Sequence, residues 1–415
     1  MIRLTLIAGT YQPRCCGVAH YTQRLRQALP AEVVQSRVLT THAAALESAK
    51  TVQGAVADWS LSQLIPLVRA ILATPTDILH IQHAAGTYQF ERSLFLLPPL
   101  LRTLGYRSPI VVTLHEYGWW EWTPGWLPTP LLERIKEGGQ RRGWWDREDG
   151  FLITGSQATI VTNAEAAGVL RDRLPHHPYH LIPIAANVTV SPAANSDHPV
   201  DHPREALRAQ FQWPASAQVI TFFGFLHPVK GLETLLEAFQ HLQQRHPQAR
   251  LLIIGGAHSL ALGDEADWYW NQLHGLVDHR GLSNFVAFTG YLKNPEISAH
   301  LLGSDVGVLP FNHGVTLKSG SLLTLLAHGL PVVATTANPP DPELTPALLE
   351  QVPPKQPSRL AAGLAALLTN SARRDSLRHA GLAFSQRFSW EAIAAQHLAV
   401  YQSLSKGSTA DVLMH

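Results

Sequence analysis

Cysteine is almost missing from this chain. Its 415 residues hold only Cys15 and Cys16, and adjacent cysteines rarely reach disulfide geometry, so no covalent framework is available. A reducing cytoplasm is the expected setting. An excess of charge of one sign is missing too. With 32 Lys and Arg against 31 Asp and Glu, the formal charge is +1, which gives no footprint of a dedicated nucleic-acid binder. Long apolar runs are lacking as well. The longest, Leu94 to Leu101, carries Pro98 and Pro99 and falls far short of the roughly 20 residues that a membrane span requires. The first residues, Met1 to Ala8, alternate and then meet Gly9. They read as a first β-strand, too short for the apolar region of a signal peptide. A soluble chain is expected, with contact to a membrane surface left open.

What is present is core material. Hydrophobic residues make up 46% and charged residues 15%, so large cores are within reach. The length exceeds that of one ordinary domain, which points to two. Short apolar runs recur with amphipathic stretches between them, the pattern of strand–helix alternation around parallel sheets. Strands are expected in a first half at Ile2–Ala8, Ile78–Gln82, Ile110–Leu114, Thr159–Thr162 and His180–Ile184. A second set falls at Val219–Phe223, Leu251–Ile254, Phe285–Phe288, Val306–Leu309 and Val332–Ala334. Between the sets, Val190 to Pro203 is rich in Pro, Ser, Asn and Asp without apolar period and reads as a linker. Leu232, Leu235, Leu236, Phe239 and Leu242 share one helical face just after Gly231. Trp390, Ile393, His397 and Tyr401 form a similar stripe, and Ser405–His415 reads as a frayed tail.

Doubly wound domains carry their working loops at the carboxyl ends of their strands. One such junction is Gly224-Phe-Leu-His-Pro-Val-Lys230-Gly231, where a Lys beside a Gly at a helix start suits a phosphate. Another runs from Pro310 through Thr316, Lys318, Ser319, Gly320 and Ser321 into Leu322. The spacing of a P-loop is absent from both, so an anion site of another type is expected, without ATP hydrolysis.

The sequence resembles retaining GT-B glycosyltransferases that use nucleotide-sugar donors. Pro13-Arg-Cys-Cys-Gly17-Val-Ala-His-Tyr21 is similar to the amino-terminal P-x-x-G-G-V-x-x-Y loop, and Gly224–Gly231 to the family's G-R-L-x-P-x-K-G. Leu251–Gly256, Phe288-Thr-Gly-Tyr291, Leu322–Ala334 and Phe388-Ser-Trp390 resemble four further motifs in the family's order. The resemblance implies two Rossmann-like domains facing a central cleft: an acceptor-side domain over 1–188, a nucleotide-sugar domain over 189–387, and a helix over 388–404 crossing back to the first. It implies that Lys230 contacts the donor diphosphate, that the amides around Lys318, Ser319, Gly320 and Ser321 cradle it, and that the loop at Gly17 closes over it. His115, at the end of Val111-Val-Thr-Leu-His115, stands where the family places a His beside the donor sugar.

Cys16 replaces the first Gly of the amino-terminal loop, and three further positions depart from the pattern. Thr316 and Thr324 occupy places where the family carries two Glu, one near the donor sugar and one near the ribose, and a Thr offers no bidentate charge there. Phe225 replaces a phosphate-binding Arg, for which His227 is a substitute only if its imidazole is cationic. Gly118–Trp145 holds six of the 11 tryptophans together with several Arg. Such a segment suits stacking on an acceptor sugar, with Trp119 and Trp120 as the candidates, dipping into a headgroup layer, or packing on its own domain. His176, His177 and His180 lack the placement of metal ligands and read as surface loop residues.

The function expected is transfer of a glycosyl unit, a hexose, from a nucleotide-sugar to a hydroxyl acceptor with retention, in carbohydrate biosynthesis. No cofactor and no metal are expected. The acceptor is a carbohydrate, a lipid-linked molecule or a natural product. A nucleotide-sugar-binding protein without catalysis and a GT-B epimerase are the alternatives.

Overall fold

The computed structural model describes residues 1–12, 16–46, 48, 50–190, 202–257 and 265–412. Its chain forms two α/β units, one of Met1–Ile184 with Trp390–His415 and one of Ala185–Ser389. The linker expected over Val190–Pro203 lies almost wholly outside the described residues.

The first unit is built on seven strands: β1 (Ile2–Ala8), β2 (Val34–Thr41), β3 (Val52–Val56), β4 (Ile78–His83), β5 (Ile110–Leu114), β6 (Ala158–Val161) and β7 (Tyr179–Leu181), in the order β3-β2-β1-β4-β5-β6-β7. The second has six: β8 (Gln218–Phe223), β9 (Ala249–Ile254), β10 (Val286–Phe288), β11 (Val306–Leu309), β12 (Val332–Thr335) and β13 (Glu350–Val352), in the order β10-β9-β8-β11-β12-β13. Every named pairing is parallel. Helices cover both faces of such sheets, which is why the central strands read as unbroken apolar runs. Residues of β5, β6, β9, β11 and β12 are all buried.

Each sheet reverses its winding once. In the first unit the chain steps outward from β1 to β3 and then returns to place β4 on the other side of β1. In the second, β8 to β10 run one way and β11 returns beside β8. The crevice at such a reversal, outside the carboxyl ends of the strands, is where doubly wound sheets take ligands.

The terminal helix spans Trp390–Val412 and packs in the first unit against the helix Gly17–Ala28. It runs on past Ser405, so the frayed tail expected there gives way to helix as far as Val412. The stripe read from its sequence is its buried face: Trp390, Ile393, His397 and Tyr401 are all buried.

Beneath the Trp-rich segment the first unit hides a cluster of acids. Asp146, Glu148 and Asp149 are all buried. Glu148 accepts from the backbone N–H of Gly118 (2.8 Å) and Trp120 (3.1 Å) and from the Arg173 guanidinium (2.9 Å). Asp149 differs. Its Oδ2 has no hydrogen-bond partner and lies 3.8 Å from an equally unpartnered Nδ1 of His83. Burial, then Asp146 and Glu148, push its pKa well above the usual carboxylate range. The native state therefore keeps a proton that the unfolded chain releases, and stability falls as pH rises through that interval. Asp149→Asn removes this loss. At pH 8 the variant is expected to melt no lower than the parent, with a flatter pH dependence in thermal unfolding. A drop of several degrees at pH 8 would mean that the carboxylate is ionised and paired.

Candidate functional site

The two loops at the reversal point of the second sheet are the two that the sequence singled out. One follows β8 and the other follows β11, and backbone contacts stitch them together. Asn312 donates from its backbone N–H to the Val229 carbonyl (2.9 Å) and from its side chain to the Pro228 carbonyl (2.8 Å). A Cβ placed on Gly224 would sit 2.8 Å from Ser321 Oγ, so the first loop also backs onto the helix Gly320–Ala327. Ser319 caps that helix, its Oγ accepting from Leu322 N–H at 3.2 Å. The amide of Asn187 lies 3.2 Å from where a Cβ of Gly320 would stand.

Lys230 ends the short turn Pro228–Lys230. Its ammonium sits 3.8 Å from the centre of the Phe311 ring, and no carboxylate pairs with it among the described residues. Burial pushes its pKa down to about 8. A half-buried cation resting on an aromatic face, without an anion of its own, is primed for an anionic ligand. Gly231 follows in the left-handed region, with φ of 69°. A Cβ there would collide with the Pro310 carbonyl oxygen. Gly231→Ala is therefore expected to push the two loops apart, lowering both melting temperature and nucleoside diphosphate affinity, the latter at least tenfold. Calorimetric titration beside thermal unfolding checks it. Unchanged affinity would detach these loops from the ligand.

Other expected residues fall in the same region with different properties. Lys318 is exposed, and its backbone N–H meets Thr316 Oγ1 at 3.4 Å in a local turn. The backbone N–H of Leu317 is held by Asp341 at 3.0 Å. Thr324 is wholly buried and its hydroxyl has no partner, so it offers no surface to a ribose here. His227 cannot replace the missing Arg as a cation. Burial and then the Lys230 charge lower its pKa, and its Nδ1 is occupied in accepting from Val229 N–H at 3.2 Å.

In the first unit Gly17 opens the helix Gly17–Ala28 with open space beside it; Pro13, Arg14 and Cys15 lie outside the described residues. His115 directly follows β5. Its backbone N–H donates to the His83 carbonyl (2.9 Å), and its Nε2 lies 2.9 Å from Gln82 Oε1. With that oxygen as partner, Nε2 carries the proton and Nδ1 remains an acceptor. Burial, then His397 and His83, lower the His115 pKa to about 3. The ring is neutral at any physiological pH.

A buried polar network that the sequence reading missed surrounds it. His80 Nδ1 lies 2.7 Å from Tyr401 Oη, and its Nε2 lies 2.8 Å from Thr113 Oγ1. Tyr21 meets His115 edge-on, with ring centres 4.7 Å apart, and its hydroxyl is 3.3 Å from His397 Nε2. The terminal helix is thereby tied to β4, β5 and the helix Gly17–Ala28. Alternation in Ile78-Leu-His80-Ile-Gln82 and the pair Thr113 and His115 did place these polar groups on common strand faces.

Trp119 is exposed, whereas Trp120 is packed. The ring of Trp120 meets Phe90 and Phe95 edge-on, with the Arg92 guanidinium 3.7 Å from its centre. His177, expected as a surface loop residue, lies in the loop before β7 and bonds Thr159 Oγ1 through Nε2 at 2.8 Å.

Comparison with known proteins bears on the fold and on the second unit. Residues 217–370 match the family described as glycosyl transferases group 1. A D-inositol 3-phosphate glycosyltransferase of Jonesia denitrificans is 26% identical over 366 residues, covering 81% of this chain and 81% of the relative. A phosphatidyl-myo-inositol mannosyltransferase of Mycobacterium tuberculosis is 29% identical over 206 residues, which is 48% of this chain and 50% of that protein. Among solved structures, sucrose-phosphate synthase from Thermosynechococcus elongatus superposes with a TM-score of 0.71 at 20% identity, covering 98% of this chain and all of the other. The Anabaena protein HepE, in complex with UDP and glucose, gives a TM-score of 0.67 at 17% identity, covering 97% of this chain and all of its own. At these identities the structures speak for the fold, and the family match speaks for residues 217–370. The chain has the GT-B fold, and residues 217–370 of its second unit are similar to group 1 glycosyltransferases.

Proposed function

We propose that the protein transfers a hexosyl unit from a nucleoside diphosphate-sugar to a hydroxyl acceptor with retention at the anomeric carbon. The observation that carries this reading is Lys230: a cation without a counter-ion among the described residues, at the winding reversal of the second sheet, in the loop whose Gly224 backs onto a capped helix start. Its ammonium and the first amides of the helix Gly320–Ala327 hold the diphosphate, and the charge stabilises it as it departs. His115 contributes an acceptor, Nδ1, to a hydroxyl of the donor sugar. The donor site belongs to residues 189–387 and the acceptor site to residues 1–188, with Trp119 as the stacking residue.

The names of relatives support the chemistry. One structural neighbour was solved with UDP and glucose, and two sequence relatives are named for transfer involving an inositol phosphate and a phosphatidyl-inositol. A polyol, free or lipid-linked, is accordingly the acceptor class we favour. No helix among the described residues is long and apolar enough to cross a membrane, and we place the reaction in the cytoplasm.

A panel of nucleotide sugars tests the reading, first by thermal shift and then by release of nucleoside diphosphate with inositol, its phosphates and phosphatidylinositol as acceptors. Acceptor-dependent release with one donor is expected, and the anomeric coupling of the product by NMR reports retention. An inverted product would refute the stereochemistry, and silence across all donors would refute the donor class.

A further inference from the structure

The helix Thr129–Arg141 buries a charged residue beside its apolar Leu132 and exposes two apolar ones. Toward the protein it buries charge: Lys136 is 1% exposed, with its ammonium 3.1 Å from both Glu121 and Glu133. Arg147 adds ion pairs to the same two carboxylates, at 2.8 and 2.6 Å. Gly139 packs against the Trp145 ring. Toward solvent the helix presents Leu131 and Ile135, one turn apart and 48% and 37% exposed. Trp126, just before the helix, is 76% exposed, and Trp144, just after it, is 58% exposed. Helices on soluble domains place their apolar residues inward; here Leu132 does so, while Leu131 and Ile135 face out and ion pairs hold Lys136 inward.

The exposed face also has a sign. Arg134 and Arg142 lie on it and make no ion pair among the described residues. The Arg142 guanidinium rests 5.1 Å from the centre of the Trp144 ring. Arg141 is paired with Glu137 and contributes less. Indole rings at both ends of an apolar strip, interleaved with arginines, match the interface between acyl chains and anionic headgroups. A second copy of the chain fits less well, because a self-paired face would set its arginines against each other.

We propose that this face docks the protein on an anionic lipid surface. The inference rests on the polarity of the helix and is independent of the glycosyltransferase reading. Co-sedimentation of the full chain with vesicles tests it, using phosphatidylcholine alone and phosphatidylcholine with about one third phosphatidylglycerol. Binding to the anionic vesicles and little to the neutral ones is expected. Arg134→Gln with Arg142→Gln should weaken it about twenty-five-fold, near fivefold per charge, and added salt should act likewise. Trp126→Ser with Ile135→Ser should also weaken it at least tenfold. All four side chains are exposed, so melting temperatures should stay at the parent value and circular dichroism should be unchanged.

Three results would overturn the proposal: no sedimentation with anionic vesicles, equal binding by parent and variants, or a dimer in light scattering that Ile135→Ser dissociates while vesicles have no effect. Donor turnover in vesicle-free buffer is measured in parallel. Its presence or absence bears on the transferase reading and leaves the docking result untouched.

Discussion

Lys230→Met is expected to bind nucleoside diphosphates at least tenfold more weakly than the parent protein while melting at a higher temperature. The two effects share one cause. Burial lowers the Lys230 pKa from 10.5 to about 8, so keeping its charge in the empty protein costs stability. Between about 8 and 10.5 the unfolded chain holds a proton that the native state has lost, and stability rises with pH across that window. Methionine keeps the contact with Phe311 and removes the charge. With a diphosphate bound, the same charge makes a hydrogen bond worth about 1.5–3 kcal/mol, which is tenfold or more in affinity. Parent affinity should also decline as pH rises above about 8, where the ammonium of the free protein deprotonates. Calorimetry across that range, with thermal unfolding of both proteins, checks each half. A variant that binds normally removes Lys230 from the site, and one that loses both binding and stability makes it a packing residue.

His115→Ala is expected to lower turnover about tenfold or more and to leave donor affinity nearly unchanged. Its proposed contact is with the reacting sugar and tightens toward the transition state. A pKa near 3 gives the prediction a second edge. His115 cannot supply an ionisation between pH 5 and 8, so parent and variant should share the shape of their kcat–pH profiles in that range. Gln82 loses the partner of its Oε1 in the variant, so some loss of melting temperature accompanies the kinetic effect. A raised donor KM with unchanged kcat would make His115 a binding residue. An inflection lost between pH 5 and 8 would show that it titrates after all.

The sequence reading found the central strands and the edge strands β7 and β10, and missed β2, β3 and β13 for a physical reason. β5 and β11 are covered on both sides and read as continuous apolar runs. β2, with Gln35, Ser36 and Arg37 in its first half, and β13, only Glu350–Val352, carry too little apolar weight to stand out. The loops at Lys230 and Ser319 were legible because a glycine, a lysine and small residues at a strand–helix junction already describe an anion cradle. Thr324 was misjudged in its surroundings: spacing gives the helical position and says nothing of how deeply the helix is buried. The network at His115 was out of reach, since His80 and Tyr401 stand 321 residues apart in sequence and only the folded first unit brings them together.

Titration of UDP, GDP and ADP into the full chain by calorimetry, beside Lys230→Met, tests the central claim most directly: that the loops at the winding reversal of the second sheet form the nucleoside diphosphate site. One of the three is expected to bind the parent with measurable heat, and the variant to bind it at least tenfold more weakly. Equal binding by parent and variant, or no heat with any of the three, would contradict it.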